Sequence, residues 1–329
     1  ANVQPHSGSS ANMAAYLALL EPGETLLGMR LADGGHLTHG ASPNFSGKIF
    51  NAVQYGIDRH SGLVDYDQVE ALAAEHKPKL IIAGFSAYSR VLDFERFRRI
   101  ADSVGAYLLA DVAHVAGLIV TGLYPNPVPV VDVVTTTTHK TLRGPRGGMI
   151  LARENPDVRR RLASMVFPGM QGGPLMHVIA AKAVCFKEAL TNEYQEYAKQ
   201  ILNNAKALSD SFQEQGLRVI SGGTENHIVL VDTRSVDEEL TGKEAGILLN
   251  DRGVTLNRNA IPFDPRSPFI TSGIRMGTPA VTTCGMKENE LTQVGFLISE
   301  IMKNRSDENK LNELEAEVRS LATSFQPYG

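Results

Sequence analysis

Short, uninterrupted apolar runs alternate with helix-patterned segments through the first half of this chain, and that alternation limits the possible folds more than any other feature. Lys79–Phe85 follows Pro78 as KLIIAGF, Tyr107–Asp111 reads YLLAD, Val130–Thr137 reads VVDVVTTT and Gly148–Ala152 reads GMILA. Strands of this kind offer no polar face to water, so they are covered on both sides. Between them, Asp65–His76 places Val69, Leu72 and Ala73 on one helical face. Asp93–Val104 repeats Phe94, Phe97, Ile100 and Ala101 at the same period. Ser9-Ser10 can cap a helix over Ala11–Leu20. The expected class is α/β, a mostly parallel sheet sandwiched by helices.

The pattern changes beyond a long helix over Pro174–Leu190, which opens on a proline. Glu193–Gln215 reads as a surface helix ended by Gly216. Leu217–Ile220, His227–Val231 and Arg252–Asn257 are candidate strands, with a helix near Lys243–Asn250. Polar helices near Lys287–Lys303 and Lys310–Ala322 follow. The expected division is a large domain over 1–191 and a smaller α/β carboxy-terminal domain over 192–329, as a length of 329 residues allows. Lys plus Arg number 32 against 36 Asp plus Glu, so the net charge of −4 gives no electrostatic case for nucleic acid or a membrane surface as partner. Arg159-Arg160-Arg161 then reads as a solvated helix face. No apolar stretch reaches the ~18 residues of a membrane span. The 2 cysteines, Cys185 and Cys284, lie far apart, which indicates neither a disulfide framework nor a zinc site and makes a reducing cytoplasm the expected compartment.

Three segments carry chemistry. Pro5-His6-Ser7-Gly8-Ser9-Ser10 is a small, hydroxylated loop opening onto a helix, where free N–H groups favour a phosphate; an ordinary helix cap is the plainer reading. Asp111 ends a strand of a parallel sheet, the edge at which such sheets bind ligands. It could keep a pyridine nitrogen protonated, or merely cap the next helix. His36, His39, Asp111 and His114 could also suggest a metal, and none is expected, because the third segment gives a better account. There a β-branched strand, Val134–Thr138, ends in His139-Lys140 and runs into the glycine-rich basic loop Arg143–Gly148. A lysine at a strand end, near a phosphate loop and an acidic strand end, suits an imine-forming amine, and such surroundings can lower an amine's pKa.

The block TTTTHKTLRGPRGG resembles the cofactor-lysine signature of the serine hydroxymethyltransferases, pyridoxal-5′-phosphate enzymes of fold type I. QPHSGS, GGHLTHG, FSAYSR, DVAHVAGL, FPGMQGGPLMHVIAAKAV, SGGTENH, LTGKEA and SPFITSGIRMGTPA are similar to further family blocks, in family order from residue 4 to about 280. The resemblance implies a reversible conversion of L-serine and tetrahydrofolate to glycine and 5,10-methylene-tetrahydrofolate. By that resemblance Lys140 is the Schiff-base lysine, Asp111 the partner of the pyridine nitrogen, and His36 stacks on the ring. Ser7, Gly8 and Ser9 hold the phosphate, His114 and Ser86 lie near the phenolic oxygen, and Thr137 sits beside the lysine. Arg275 grips the substrate carboxylate, a task suited to a planar two-pronged cation. Gly172 and Gly173 reach the phosphate of a partner subunit, and Leu31, Gly35, His36, Leu37, Asn259 and the Ser267-Pro268-Phe269 turn contact folate. A homodimer is implied, with a tetramer also open.

Plainer readings stand beside these. Leu31 and Leu37 could be core residues, Arg275 part of an ion pair, Gly172-Gly173 only a turn, Ser86 and Thr137 partners for backbone, and His39 structural. Another fold-type-I enzyme, a threonine aldolase or aminotransferase, needs the same lysine and aspartate without a folate site. A catalytically silent binding subunit is a third possibility, opposed by the presence of Lys140, Asp111, His36 and Arg275 together. Ser10 departs from the family's usual Gln after the loop serine. The chain opens without Met on Ala1-Asn2-Val3, which reads as the end of a strand. The family's amino-terminal segment, with its glutamate and tyrosines, is therefore expected either to be absent from the molecule or to precede Ala1.

Overall fold

The structure, a computed structural model, describes residues 1–325. Two compact units divide the chain: one is Ala1–Asp58, Val64–Ser86 and Val91–Ala198, and the other is Arg59–Leu63, Ala87–Arg90 and the chain from Lys199 on.

The first unit is built on a 6-stranded sheet. Its strands are β1 (Thr25–Met29), β2 (Asn51–Tyr55), β3 (Leu80–Gly84), β4 (Tyr107–Asp111), β5 (Val133–Thr137) and β6 (Gly148–Ala152), in the order β2-β1-β3-β4-β5-β6. All neighbours pair in parallel except β5 and β6, which are antiparallel. Every residue of β3, a continuous apolar run, and of β5, a β-branched one, is buried. Burying each of Leu80, Ile81 and Ile82 contributes roughly 1.5–3 kcal/mol.

The helices of this unit are α1 (Gly8–Leu19), α2 (Phe45–Ile49), α3 (Tyr66–His76), α4 (Phe94–Val104), α5 (Ala116–Val120), α6 (Pro156–Ser164) and α7 (Met176–Glu188). Helices α3 and α4 start where their aspartates allow: Asp65 accepts from the Gln68 N–H and Asp93 from that of Arg96. The cap of α1 is Ser7, not the Ser9-Ser10 pair expected from sequence, because Ser7 Oγ accepts from the Ser10 N–H at 3.1 Å and the helix begins a turn earlier. Ala11, Ala14, Ala15 and Ala18 give α1 a low-relief buried surface in one core cluster with Leu26, Ile82, Leu109 and Ile150.

The second unit carries a 4-stranded sheet of β7 (Arg218–Val219), β8 (Ile228–Asp232), β9 (Asn257–Asn259) and β10 (Gly273–Gly277), in the order β7-β8-β10-β9 and antiparallel throughout. Its helices are α8 (Asn192–Glu214, of which the part from Lys199 on belongs to this unit), α9 (Gly242–Asp251), α10 (Pro279–Thr283), α11 (Glu288–Lys303) and α12 (Glu308–Thr323). Helix α8, read from sequence as a surface helix, buries Ala205, Leu208 and Phe212 in this unit's core. The strand expected over Arg252–Asn257 is displaced to Asn257–Asn259, since Arg252 ends α9 and Gly253 turns the chain at φ +86°. Among the described residues no helix is long and apolar enough to cross a membrane.

Candidate active site in the first unit

The strand order turns outward in opposite directions from β1 and β3, and the chain segments leaving the carboxyl ends of these strands build the site. His36 follows β1, Ser86 follows β3, Asp111 ends β4, and Thr137 ends β5 just before His139 and Lys140. All of them line one cavity of about 240 Å³, together with Ser7, Gly8, Ser9 and His114. Ser7–Ser9 opens α1, where the first-turn N–H groups have no carbonyl four residues back inside the helix. A Cβ at Gly8 would come within 2.8 Å of Thr137 Cγ2, so the loop and the end of β5 fit only with glycine there. His114 stacks on Phe85 with ring centroids 6.4 Å apart, and Thr137 Oγ1 donates to the Ala113 carbonyl at 3.2 Å.

Asp111 is buried and fully engaged. Its Oδ2 accepts from Asn12 Nδ2 at 2.8 Å and from His39 Nε2 at 3.1 Å, and its Oδ1 accepts from the Ala113 N–H at 3.1 Å. Burial alone would raise its pKa; the His39 hydrogen bond and charge, then His36 and Asn12, outweigh it and hold the carboxyl below the usual range. Backbone donors fix the imidazole protons. The His36 N–H points at His39 Nδ1 at 3.2 Å, so His39 carries its proton on Nε2, facing Asp111. The Thr38 N–H points at His36 Nδ1 at 3.2 Å, which leaves the His36 proton on Nε2. Thr38 Oγ1 accepts from Asn12 at 2.8 Å and so donates to His36 Nδ1 at 2.7 Å, while Thr135 Oγ1 donates to Asn12 Oδ1 at 2.6 Å. His36, His39 and Asp111 bring ligand atoms within 4.8 Å of one another, a spacing that could serve a cation, but these hydrogen bonds already account for each of them.

His36 is pushed down to about 4, first by burial and then by the balance of Asp111 against His39 and Lys140. An unfolded chain binds a proton there near 6.5, which the folded site refuses until about 4. Stability should therefore fall as pH drops through that window, whereas the contribution of Asp111 is lost only at lower pH, below its unfolded value of 3.8. His139, lowered by burial and then by Arg146 and Lys140, acts in the same sense as His36. Thermal melts of the cofactor-free protein between neutral pH and pH 4.5 should show a shallower acid slope for His36→Gln than for wild type. Identical slopes would contradict the assignment.

Sequence reasoning missed Asn12, Phe85, His139 and Arg146 as lining residues. A lone buried Asn on an Ala-rich helix was the available signal for Asn12. Of the remaining expected residues of this unit, Leu31, Gly35, Leu37, Gly172 and Gly173 are not among those that line the cavity. Leu31 and Leu37 are 40% and 44% exposed, which removes the core reading of both. Gly35 packs so tightly that a Cβ would sit 2.1 Å from the Met29 carbonyl oxygen. Gly172 and Gly173 have open space around them, and the Gly172 carbonyl accepts from Gln4 Nε2 at 3.1 Å. In the second unit, Arg275 lies on β10 with Nη2 3.3 Å from Asn257 Oδ1, and burial lowers its pKa. Asn259 ends β9 and donates to the Ala260 carbonyl at 2.7 Å. Ser267, Pro268 and Phe269 form an exposed turn, with Phe269 79% exposed.

Comparison with known proteins points to one family. The family model described as "Serine hydroxymethyltransferase" matches residues 1–298. A "Serine hydroxymethyltransferase" of Marinobacter nauticus is 59% identical over 329 residues, covering 100% of this chain and 78% of the relative. "Serine hydroxymethyltransferase 1" of Pseudomonas aeruginosa is 60% identical over 328 residues, with 100% and 78% covered. A "Serine hydroxymethyltransferase" of Legionella pneumophila is 58% identical over 327 residues, with 99% and 78% covered.

Proposed function

The chain belongs to the serine hydroxymethyltransferase family, and from that membership we propose how its residues divide the work. The activity is the reversible transfer of the hydroxymethyl carbon of L-serine to tetrahydrofolate, yielding glycine and 5,10-methylene-tetrahydrofolate for one-carbon metabolism and glycine biosynthesis. One observation carries the assignment of pyridoxal 5′-phosphate to this site: a lysine amine, a buried carboxylate held ionised, and a helix-opening hydroxyl loop line the same cavity. Those are the donor types that the carbonyl, ring nitrogen and phosphate of that cofactor need.

Lys140 is the covalent anchor for the cofactor's carbonyl carbon. The N–H groups and hydroxyls of Ser7, Gly8 and Ser9 take the phosphate. Asp111 keeps a proton on the ring nitrogen, because a carboxylate with three donors stays anionic. The bound cofactor supplies an electron sink for the pair left on Cα when the hydroxymethyl carbon departs. His36 lies against the ring with its proton held on Nε2, His114 and Ser86 serve the phenolic oxygen, and Thr137 supports the lysine. Arg275 binds the serine carboxylate. Leu31, Gly35, Leu37, Asn259 and the Ser267–Phe269 turn contact tetrahydrofolate; the exposure of Leu31, Leu37 and Phe269 accords with apolar contact to a ligand.

The working form is a homodimer in which Gly172 and Gly173 reach the partner's phosphate site. Phe167, Leu175, Met176, Val184 and Leu190, on α7 and the chain flanking it, are exposed, which supports a surface covered by a second copy. The free thiols of Cys185 and Cys284 suit a cytoplasmic setting. Incubating the purified protein with pyridoxal 5′-phosphate and labelled serine, with and without tetrahydrofolate, tests the function. Glycine formation that depends on tetrahydrofolate is expected; cleavage indifferent to folate would point to an aldolase instead.

A further inference from the structure

Lys182 is a buried cation that the proposed chemistry does not use. It lies on α7 and is 1% exposed. Its Nζ donates to the carbonyl oxygens of Val3 at 2.6 Å, Gly148 at 2.7 Å and Pro5 at 3.3 Å. Among the described residues no carboxylate pairs with it. A buried ammonium is costly unless its N–H groups are all satisfied, and here three backbone carbonyls satisfy them. Burial lowers its pKa.

The segment it grips leads straight into the Ser7–Ser9 loop. In an extended chain, the backbone groups of alternate residues face opposite edges. Lys182 takes the carbonyls of residues 3 and 5 on one edge. Gln171 holds the other, donating to the Gln4 carbonyl at 3.0 Å and accepting from the His6 N–H at 3.1 Å. The Gly148 N–H also donates to the Pro5 carbonyl at 2.9 Å. A Cβ at Gly148 would lie 2.2 Å from the Ser7 carbonyl oxygen and 3.2 Å from Gly8 N, so the start of β6 packs directly on the first peptide of the loop. Lys182 thus ties the entry segment, the start of β6 and α7 together, its nearest grip on the entering chain being Pro5, two residues before the Ser7 cap.

We propose that Lys182 is a positioning residue for phosphate recognition: its clamp on Val3, Pro5 and Gly148 sets where the Ser7–Ser9 loop meets the cofactor's phosphate. This rests on the reading of that loop given under the proposed function. Because the clamp holds the chain that enters the loop, and its hydrogen bonds go to none of the residues assigned to the ring, its loss should weaken pyridoxal 5′-phosphate selectively and leave unphosphorylated pyridoxal nearly unaffected.

The test is fluorescence titration of the cofactor-free protein with pyridoxal 5′-phosphate and, separately, with pyridoxal. Removing a charge-assisted set of hydrogen bonds in Lys182→Met should raise the Kd for the phosphorylated form about ten-fold or more, and that for pyridoxal by less than about two-fold. Lys182→Arg, which keeps a cation, should recover much of the ratio. If Lys182→Met does not fold by circular dichroism, Lys182→Gln against Lys182→Arg gives the same comparison, with the ratio reduced only in the glutamine variant. Equal weakening of both ligands alongside a lowered melting temperature would mean a purely structural lysine and would overturn the proposal, as would unchanged affinities. Wild-type protein that binds pyridoxal 5′-phosphate no more tightly than pyridoxal would instead sink the phosphate-loop reading itself, and this inference with it.

Discussion

Replacing Lys140 by alanine is expected to lower folate-dependent serine cleavage by ~10³-fold or more, within the range lost when a group acting directly at the reacting centre is removed. The side chain stands three residues beyond β5, on the cavity that also holds Asp111 and the opening of α1. Its amine is the covalent anchor, and among the described residues no other lysine lines that cavity. The fold should survive, because Lys140 is only half-buried and belongs to no core cluster. Phosphate contacts at Ser7–Ser9 should still retain some cofactor. Steady-state rates with matched melting curves check this. A variant that kept turnover within about ten-fold of wild type would leave the lysine without its assigned role.

Asp111→Asn should lower the rate by about 10²–10³-fold while the cofactor still attaches to Lys140, a cost comparable to losing one preorganised electrostatic contact. The substitution keeps the shape and removes the charge. Two donors, Asn12 Nδ2 and His39 Nε2, converge on Oδ2, which forces the new amide to keep its oxygen there. Its NH2 then faces the Ala113 N–H, donor against donor, where Oδ1 had accepted at 3.1 Å. A loss of about 1–3 kcal/mol of stability should accompany the rate effect. With no anion beside it, the ring nitrogen would lose its proton near neutral pH, and the electron sink with it. Visible absorbance, melting temperature and kcat together separate the two effects. Unchanged kcat in a variant that binds cofactor would remove Asp111 from the chemistry.

The parts of the fold legible in sequence were those whose signal is local. Tyr107–Asp111 and Gly148–Ala152 are read with their observed bounds, because continuous apolar runs bounded by turns leave little choice. Strands β1, β2 and β10 were not legible. Strand β2 (NAVQY) is half-exposed and polar at the sheet's edge, and β10 (GIRMG) has a glycine at each end. Strand β1 (TLLGM) is buried beyond Thr25 and pairs with β2 and β3. The site followed the same rule. Lys140, Asp111 and the Ser7–Ser9 loop each carry their own chemistry in sequence, and the structure brings them to one cavity. The parts played by Asn12 and His39 arise from residues 12, 36–39, 111 and 135 meeting in space, and no spacing encodes that. Lys182 is further still from sequence-level detection, since its partners are backbone carbonyls.

The most direct test of the central claim is borohydride reduction of the protein loaded with pyridoxal 5′-phosphate, followed by proteolysis and mass mapping. Visible absorbance that is lost on reduction is expected, with a single pyridoxyl group on the peptide that contains Lys140. A folded protein that traps no cofactor, or traps it on another lysine, would contradict the assignment on which the rest of the site depends.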